Sequence, residues 1–277
     1  FSITGIFGSR TKENPTASYQ QAFNMQGSKA TDDTASIGAE YRKALSDQLT
    51  LTLRGNLQQY RYRGDFIYDA PPLYINRDKS EGTSWGGDVQ LTSTHFTGHR
   101  IVAGVENRRD DGIRQRNFDV SPYVSYLDSK ERSNTTGIYV QDEIVLSERW
   151  LLNAGVRRDH VSNSDGSTSP RLGIIFKPLP QTAMKLLYGE AYRSPNAFEL
   201  YYQTNTPGGY RLNPGLKPET IRSREFVVEH ALSQTQRIVA SAYRNDIDDL
   251  ISQQYDTAAD RYYFDNVSSV RAEGIEL

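Results

Sequence analysis

The sequence predicts an all-β protein that forms part of an antiparallel transmembrane β-barrel, with about twelve strands. Three observations predict it. Apolar and polar residues alternate with a period of two over most of the chain, and helical periodicity is nearly absent. Short and long connections alternate along the chain. Several extended segments are much longer than the strands of ordinary globular sheets, which usually have about 5–6 residues.

The segment Trp150–Asp159 shows the alternation most clearly. One face carries Trp150, Leu152, Ala154 and Val156, and the other carries Asn153, Gly155, Arg157 and Asp159. A soluble β-sandwich also alternates in this way, so the pattern alone does not choose between a sandwich and a barrel.

Twelve segments follow the same pattern and are predicted to be strands. They are Phe1–Ser9, Thr34–Leu45, Leu49–Arg63, Thr83–Phe96, Arg100–Arg109, Ser133–Leu146, Trp150–Ser162, Ser169–Lys177, Thr182–Tyr192, Thr220–Leu232, Arg237–Asp248 and Arg261–Val270. A strand such as Leu49–Arg63 exceeds the ~9–11 residues that a tilted strand needs to cross a bilayer.

The connections between these strands favour the barrel. Short turns are predicted at Ser46–Gln48, Thr97–His99, Ser147–Arg149, Pro178–Gln181 and Ser233–Gln236. They alternate with longer connections at Arg10–Asp33, Gly64–Gly82, Asp110–Arg132, Asn163–Thr168, Arg193–Glu219 and Asp249–Asp260. Outer-membrane barrels have short periplasmic turns and long extracellular loops, whereas a Greek-key sandwich has no reason to gather its long loops at one end.

The composition excludes several classes of protein. The 277 residues include no cysteine, which excludes a disulfide scaffold and a cysteine zinc site. A net charge of −2 gives no electrostatic case for nucleic-acid binding. Only 36% of residues are hydrophobic and mean hydropathy is −0.66, yet there are 18 tyrosines. This combination suits a barrel in which only alternate residues meet lipid.

Aromatic residues gather near the ends of the predicted strands, where interfacial girdles would place them. They are Tyr60, Tyr62, Phe66, Tyr68, Phe96, Trp150, Phe176, Tyr192 and Phe198. The alternative is that tyrosine simply favours strands. No segment approaches the ~20 apolar residues of a spanning helix. The first residues lack the pattern of a signal peptide, so the chain is expected to begin inside a larger protein.

Two of the long loops combine Tyr, Pro, Gly and Asn, namely Phe66–Tyr74 and Tyr201–Arg211. Tyrosine offers a broad contact area with a polar tip and little rotamer entropy to lose, which suits a ligand-binding surface. The candidate ligand-binding residues are Tyr68, Tyr74, Tyr201, Tyr202, Tyr210 and Arg211. The alternative is that loops are rich in Pro, Gly and Asn in any case.

Clustered arginines could attract an anionic ligand. One cluster contains Arg108, Arg109, Arg114 and Arg116, and Arg193 and Arg211 lie near another loop. Asp110, Asp111 and Asp119 neutralise much of the first cluster, which favours an ordinary mixed surface.

No catalytic constellation is present, and no enzyme, cofactor or metal site is predicted. The histidines His95, His99, His160 and His230 are scattered, which argues against haem ligation. The pairs Asp110-Asp111 and Asp248-Asp249 lack the spacing of a calcium loop.

The segment Tyr188–Tyr201 contains a recognisable motif, in which Ala191-Tyr192-Arg193-Ser194-Pro195 is followed by Glu199-Leu200. This segment resembles a signature of TonB-dependent outer-membrane receptors, and Asn213–Thr220 is similar to the family's Asn-Pro-x-Leu-Lys-Pro-Glu box. Further similar segments follow in family order: Tyr139–Glu143, Ser169–Gly173, Tyr243–Ile251 and Ala272–Leu277. Because Pro195 and Pro214 cannot donate to a strand ladder, the boxes are interpreted as architectural.

The resemblance implies a 22-stranded barrel in the bacterial outer membrane, filled by an N-terminal plug. It implies uptake of a small-molecule ligand such as a ferric siderophore or a cobalamin-like compound, energised by TonB through the plug, with membrane lipid as a further partner. The whole of residues 1–277 is then expected to be barrel wall, without the plug and the C-terminal strands. Two alternatives stay open: a passive pore or adhesin barrel without TonB coupling, and a soluble β-sandwich binding module.

Overall fold

The structure is a computed structural model that describes residues 1–17, 21–69 and 72–277. Residues 18–20, in the predicted connection Arg10–Asp33, and 70–71, in the predicted loop Phe66–Tyr74, lie outside the described residues. The strands are β1 (Ser2–Glu13), β2 (Lys29–Ser46), β3 (Leu49–Tyr68), β4 (Tyr74–Ser93), β5 (His99–Val120), β6 (Tyr123–Val145), β7 (Trp150–Val161), β8 (Ser164–Leu179), β9 (Thr182–Arg193), β10 (Glu219–Ala231), β11 (Arg237–Asp248), β12 (Leu250–Asp256), β13 (Arg261–Val267) and β14 (Val270–Glu276). One helix, α1, spans Ala197–Tyr201. Across these ranges no helix is long and apolar enough to cross a membrane.

Twelve strands form one antiparallel sheet in the order of the chain, from β1 to β11 and then β14. Strands β12 and β13 form a separate two-stranded sheet, and Tyr262 of β13 also forms an isolated parallel bridge with Tyr210. The sheet does not close, since β1 and β14 are its two edges. The all-β prediction with about twelve wall strands is therefore confirmed, and the arrangement is that of a partial barrel.

One face of the sheet, the outer face, is apolar and exposed. Residues directly opposite each other in the ladders point to the same side, and this places Leu57, Trp85, Val89, Val105, Ile138, Val140, Val156, Leu172, Leu186 and Phe226 on it. Ile138 is 60% exposed and Leu186 is 56% exposed. A contiguous exposed apolar surface of this extent matches a lipid-facing band.

The opposite face, the inner face, carries an ion-pair network. Arg54 contacts Glu40 and Asp88, each at 2.8 Å. Arg157 contacts Glu106 at 2.9 Å and Asp159 at 2.7 Å. Hydrophobic residues on one face and charged residues on the other explain why the alternation is so regular in this part of the sequence.

The short turns lie where they were predicted, and one aromatic pair marks that end of the barrel. Trp150 and Phe176 stack on the outer face with ring centroids 4.4 Å apart, as an interfacial girdle requires. The prediction of an interfacial girdle was wrong for Tyr60, whose hydroxyl donates a hydrogen bond of 2.6 Å to Asp32 on the inner face. It was also wrong for Phe198, which lies in α1.

Three of the predicted long connections are largely strand. Strand β3 continues to Tyr68 and strand β4 begins at Tyr74. Strands β5 and β6 are joined by only Ser121 and Pro122. Strands β7 and β8 are likewise separated by two residues. Outside the apolar band neither face meets lipid, so the ladder continues without the alternating hydropathy by which strands are recognised in sequence.

The last predicted strand, Arg261–Val270, was also wrong. Residues Arg261–Val267 form β13, which pairs with β12 as a separate hairpin. The wall strand is β14, which pairs with β11 from Ile247↔Val270 to Ser241↔Glu276. The aromatic-rich strand β13 and the wall strand β14 are separated by only two residues in the sequence. Only their pairing partners distinguish the hairpin from the wall.

Candidate functional site

The connection between β9 and β10, residues 194–218, is called the β9–β10 loop. The N-cap of its helix α1 is Asn196, whose side chain accepts hydrogen bonds from the backbone N–H groups of Phe198 and Glu199. The Glu199 carboxylate accepts in return from the backbone N–H of Asn196 at 2.7 Å. This is a capping box, which specifies a helix start from local sequence alone. Pro195 lies immediately before this N-cap, outside the helix, so it removes no hydrogen bond of the helix.

Arg193 joins the two ends of the β9–β10 loop. Its Nε donates to Glu219 at 2.6 Å and its Nη1 donates to Glu199 at 2.9 Å. The other oxygen of Glu219 accepts from the backbone N–H of Ile251 at 2.7 Å. The hydrogen bond from Arg193 lowers the pKa of the Glu219 carboxyl. These contacts assign an architectural role to the residues that resemble the family signature.

Five rings from the loop and the β12–β13 hairpin form the aromatic cluster, which consists of Phe198, Tyr202, Tyr210, Tyr262 and Phe264. The ring centroids of Phe198 lie 4.4 Å from Tyr202, 5.4 Å from Tyr210 and 5.6 Å from Phe264. Tyr210 also packs 5.7 Å from Tyr262. Offset and edge-to-face ring pairs at these distances stabilise beyond the area that they bury, so the loop and hairpin pack as one unit.

The aromatic cluster is anchored to the wall through Tyr202. Its side chain is buried, and its hydroxyl donates to Asp78 on β4 at 2.9 Å. Desolvation raises the pKa of Asp78 to about 6, although the hydrogen bond from Tyr202 acts in the other direction. Strand β4 is five positions away from β9 in the sheet. The β9–β10 loop therefore extends across the inner face.

Arg211 holds the hairpin from the other side. Its guanidinium lies 3.7 Å from the ring centroid of Tyr263 and its Nη2 lies 3.4 Å from the Asp256 carboxylate. Its Nε is buried and has no hydrogen-bond partner among the described residues. Cation–π contact of this kind suits arginine, and it fixes Arg211 as a packing residue of the loop and hairpin.

Tyr68 and Tyr74 form a separate pair at the far end of β3 and β4. They are directly opposite in the ladder and their rings stack at 5.2 Å. Desolvation raises the pKa of Tyr74, with a smaller contribution from Asp119. The stacked pair is not part of the aromatic cluster.

A recess of about 620 Å³ lies on the inner face beneath the β9–β10 loop. Its floor comes from wall strands, including Tyr60, Glu106, Arg108, Asp110 and Arg157, and its roof includes Pro195, Asn196, Leu200 and Tyr201. Its volume is in the range of small-molecule sites. Tyr201 is the predicted site residue that lines it.

The structure thus separates the six predicted residues. It brings Tyr202 and Tyr210 together in the aromatic cluster and places Arg211 beside it and Tyr201 at the recess. Tyr68 and Tyr74 form a pair of their own. Asp78, Tyr262 and Phe264 were missed. The run Tyr262-Tyr263-Phe264 was a signal, but it was assigned to a wall strand.

The arginine cluster near residue 110 is a mixed surface. Arg108 pairs with Asp110 at 2.9 Å and Arg109 pairs with Asp111 at 3.1 Å. Because these are consecutive residues in a strand, the two pairs lie on opposite faces. Within residues 1–17, 21–69 and 72–277 no group of three metal-ligating side chains is placed to hold an ion.

Comparison with known proteins gives consistent matches. Residues 2–277 match the family model described as TonB dependent receptor-like, beta-barrel. An iron-regulated outer membrane virulence protein of Vibrio cholerae is 28% identical over 179 residues, which cover 62% of this chain and 28% of the relative. The vitamin B12 transporter BtuB of Vibrio vulnificus is 28% identical over 185 residues, which cover 64% of this chain and 27% of the relative. The chain thus spans less than a third of the length of these relatives.

Two solved structures share the fold. The ferric enterobactin receptor PfeA of Pseudomonas aeruginosa, as a G324V mutant, superposes with a TM-score of 0.62 at 15% identity, covering 99% of this chain and 53% of that one. The copper transporter OprC superposes with a TM-score of 0.70 at 17% identity, covering 90% of this chain and 43% of that one. The twelve-stranded sheet, the lipid-facing band and the family match agree: the chain belongs to the TonB-dependent receptor family and forms wall strands of its bacterial outer-membrane β-barrel.

Proposed function

We propose that this chain is the ligand-facing part of a receptor that imports an iron complex of the ferric siderophore type, with a cobalamin-like compound as the second candidate. Import here means binding and passage, with no bond made or broken. The names of the relatives, an iron-regulated outer membrane protein and a vitamin B12 transporter, support both cargoes.

The recess on the inner face is the observation that carries the proposal. It is bounded by charged wall residues and covered by a loop that is tied down at Arg193 and Tyr202. A site whose lining is held by packed, hydrogen-bonded neighbours is pre-organised, so less binding energy is lost in ordering it. Tyr201 is proposed to contact the ligand directly, and Tyr68 and Tyr74 are proposed to form a second contact surface. Tyr202, Tyr210 and Arg211 are proposed to act by holding the loop and hairpin.

Growth under iron limitation tests the cargo class. A strain that lacks the full-length receptor is expected to grow poorly on a ferric siderophore as its sole iron source, and the intact gene is expected to restore growth. If the intact gene restored growth that depends on cobalamin but not growth on the ferric siderophore, the second candidate would replace the iron complex. Binding of both compounds to the purified full-length receptor provides the direct comparison.

Coupling to TonB through a plug domain is also proposed for the full-length protein. Family membership supports it. Uptake that stops when the TonB gene is deleted would agree with the proposal. Uptake that continues unchanged in that strain would favour the passive pore.

A further inference from the structure

The charged side chains that line the recess beneath the β9–β10 loop carry a net negative charge. They are two arginines, Arg108 and Arg157, and three acids, Glu81, Glu106 and Asp110, which together give a formal charge of −1. The charges that line a cleft set its potential, and with it the sign of the ligand that the cleft concentrates. The lining of the recess is therefore unsuited to attracting an anion.

Both arginines of the lining are engaged by acids of the wall. Arg108 donates from Nε and Nη2 to one oxygen of Asp110, at 3.0 Å and 2.9 Å. Arg157 donates from Nε and Nη2 to Asp159, and its Nη1 contacts Glu106 at 2.9 Å. Asp159 is only 2% exposed, so turning Arg157 towards a ligand would leave a buried carboxylate unpaired, which is strongly unfavourable.

The arginines that hold the β9–β10 loop are engaged in the same way. Arg193 donates to Glu199 and Glu219, and Arg211 contacts Asp256 at 3.4 Å. In the part of the chain that the structure describes, neither of these two arginines lines the recess. They hold the loop in place and do not offset the negative charge beneath it.

Uncharged hydrogen-bonding groups supply much of the remaining lining. They include Ser80, Ser133, Thr135, Ser164, Ser194 and Tyr201. The hydroxyl oxygens of Ser164 and Ser194 are buried and have no hydrogen-bond partner within residues 1–17, 21–69 and 72–277. A hydroxyl group can both donate and accept a hydrogen bond. The lining thus suits a ligand whose surface carries uncharged carbonyl and amide groups.

Charge separates the chemical classes of iron complex. A ferric ion bound by three catecholates carries three negative charges, because each catechol loses two protons. A ferric ion bound by three hydroxamates is electrically neutral, because each hydroxamic acid loses one proton. A trianion in the recess would lie beside Glu106 and Asp110, and it would lose hydration without gaining a free cation. A neutral complex avoids both costs.

We propose that the recess selects a neutral iron complex of the trihydroxamate class over an anionic complex of the tris-catecholate class. This inference rests on the proposed import of an iron complex and names the class of ligand that the same recess accepts. Glu106 and Asp110 determine the specificity, because they engage Arg157 and Arg108 and repel an anion. Rejection of the wrong ligand by like charge is a general means of specificity.

Binding of two matched iron complexes to the purified full-length receptor tests the proposal. Both complexes are hexadentate and share one tripodal backbone, which carries three hydroxamates in one complex and three catecholates in the other. The test variant combines Glu106→Gln with Asp110→Asn, which frees Arg108 and leaves Arg157 its contact with Asp159. The matched control combines Asp47→Asn with Glu148→Gln, which changes the total charge equally at exposed positions of two short turns.

The wild-type receptor is expected to bind the neutral complex more tightly, on the order of tenfold or more, since juxtaposed like charges are costly. In the test variant the ratio of anionic to neutral affinity should rise by roughly tenfold, and in the control variant this ratio should stay at the wild-type value. A ratio that does not rise in the test variant would overturn the role of Glu106 and Asp110.

Two results with the wild-type receptor alone separate this inference from the proposed function, and neither needs a variant to fold. Equal or tighter binding of the catecholate complex would overturn the inference and leave import of an iron complex intact. Binding of neither iron complex would overturn the proposed iron cargo and this inference with it.

Discussion

The hydroxyl of Tyr202, in the β9–β10 loop, donates a hydrogen bond of 2.9 Å to Asp78 on strand β4, 124 residues earlier in the chain. This contact fastens the loop across the inner face. Tyr202→Phe keeps the ring in the aromatic cluster but leaves the partly buried carboxylate without this donor. Loss of one hydrogen bond to a carboxylate in this position costs about 1–3 kcal/mol. Hydrogen exchange of the backbone amides of residues 194–218 in the full-length receptor should become faster. Tyr263→Phe, which keeps the ring under Arg211, should leave that exchange unchanged.

The same contact should make docking of the β9–β10 loop against the wall depend on pH. Desolvation raises the pKa of Asp78 from the usual 3.8 to about 6. Asp78 therefore binds a proton more tightly when the loop is docked against it than when the loop is undocked. Docking is then fully stabilised at low pH and loses on the order of 2–3 kcal/mol as pH rises through about 6. Exchange in residues 194–218 is expected to be slower at about pH 5 than at about pH 8 after correction for intrinsic rates. Asp78→Asn should abolish the difference, and a difference that persists in this variant would contradict the assignment.

Arg193 should be needed to hold the ends of the β9–β10 loop. Arg193→Gln removes the hydrogen bonds to Glu199 and Glu219 and leaves Glu199, which is only 9% exposed, without its cation. Because the arginine itself is 43% exposed, the expected loss is modest, on the order of 1–2 kcal/mol. Limited proteolysis of the loop measures it. Arg10→Gln, which breaks a pair with Asp32 on a highly exposed arginine, is the control and should have no effect on loop cleavage. Arg193→Lys should rescue only partly, because lysine lacks the two-pronged geometry.

Ligand affinity should distinguish contact residues from positioning residues. Tyr201→Ala removes a ring from the recess and is expected to weaken ligand binding roughly tenfold while loop exchange stays unchanged. Phe198→Ala removes the central ring of the aromatic cluster and should weaken binding and speed loop exchange together. Unchanged affinity in Tyr201→Ala would remove this residue from the proposed site.

Glycine is required where the wall leaves no room for a side chain. A Cβ on Gly104 would lie 2.8 Å from the backbone oxygen of Val89 and would also meet the Tyr139 side chain. A Cβ on Gly189 would meet nothing within 4 Å. Gly104→Ala is therefore expected to destabilise the barrel by about 1–3 kcal/mol, seen as a lower melting temperature of the full-length receptor in detergent. Gly189→Ala should be neutral, and similar melting temperatures for the two variants would contradict the close packing of Gly104 against Val89 and Tyr139.

The sequence by itself determined most of the wall of the barrel. Lipid on one side and a polar interior on the other impose opposite requirements on alternate residues. The resulting alternation of apolar and polar residues is visible in segments such as Trp150–Asp159. The capping box at Asn196 and Glu199 is equally local, because its partners are three residues apart. These features need no knowledge of distant parts of the chain.

Only the tertiary structure decided how the chain is arranged beyond the membrane. There both faces are polar, so hydropathy no longer marks where β3, β4, β5 and β6 end. Pairing partners, which lie far apart in the sequence, assigned Arg261–Val267 to a hairpin and Val270–Glu276 to the wall. The roles of the tyrosines were decided in the same way, because all of them look alike in sequence. Tyr202 is an anchor since the loop carries it to Asp78, and Tyr201, its neighbour, faces the recess because the chain turns between them.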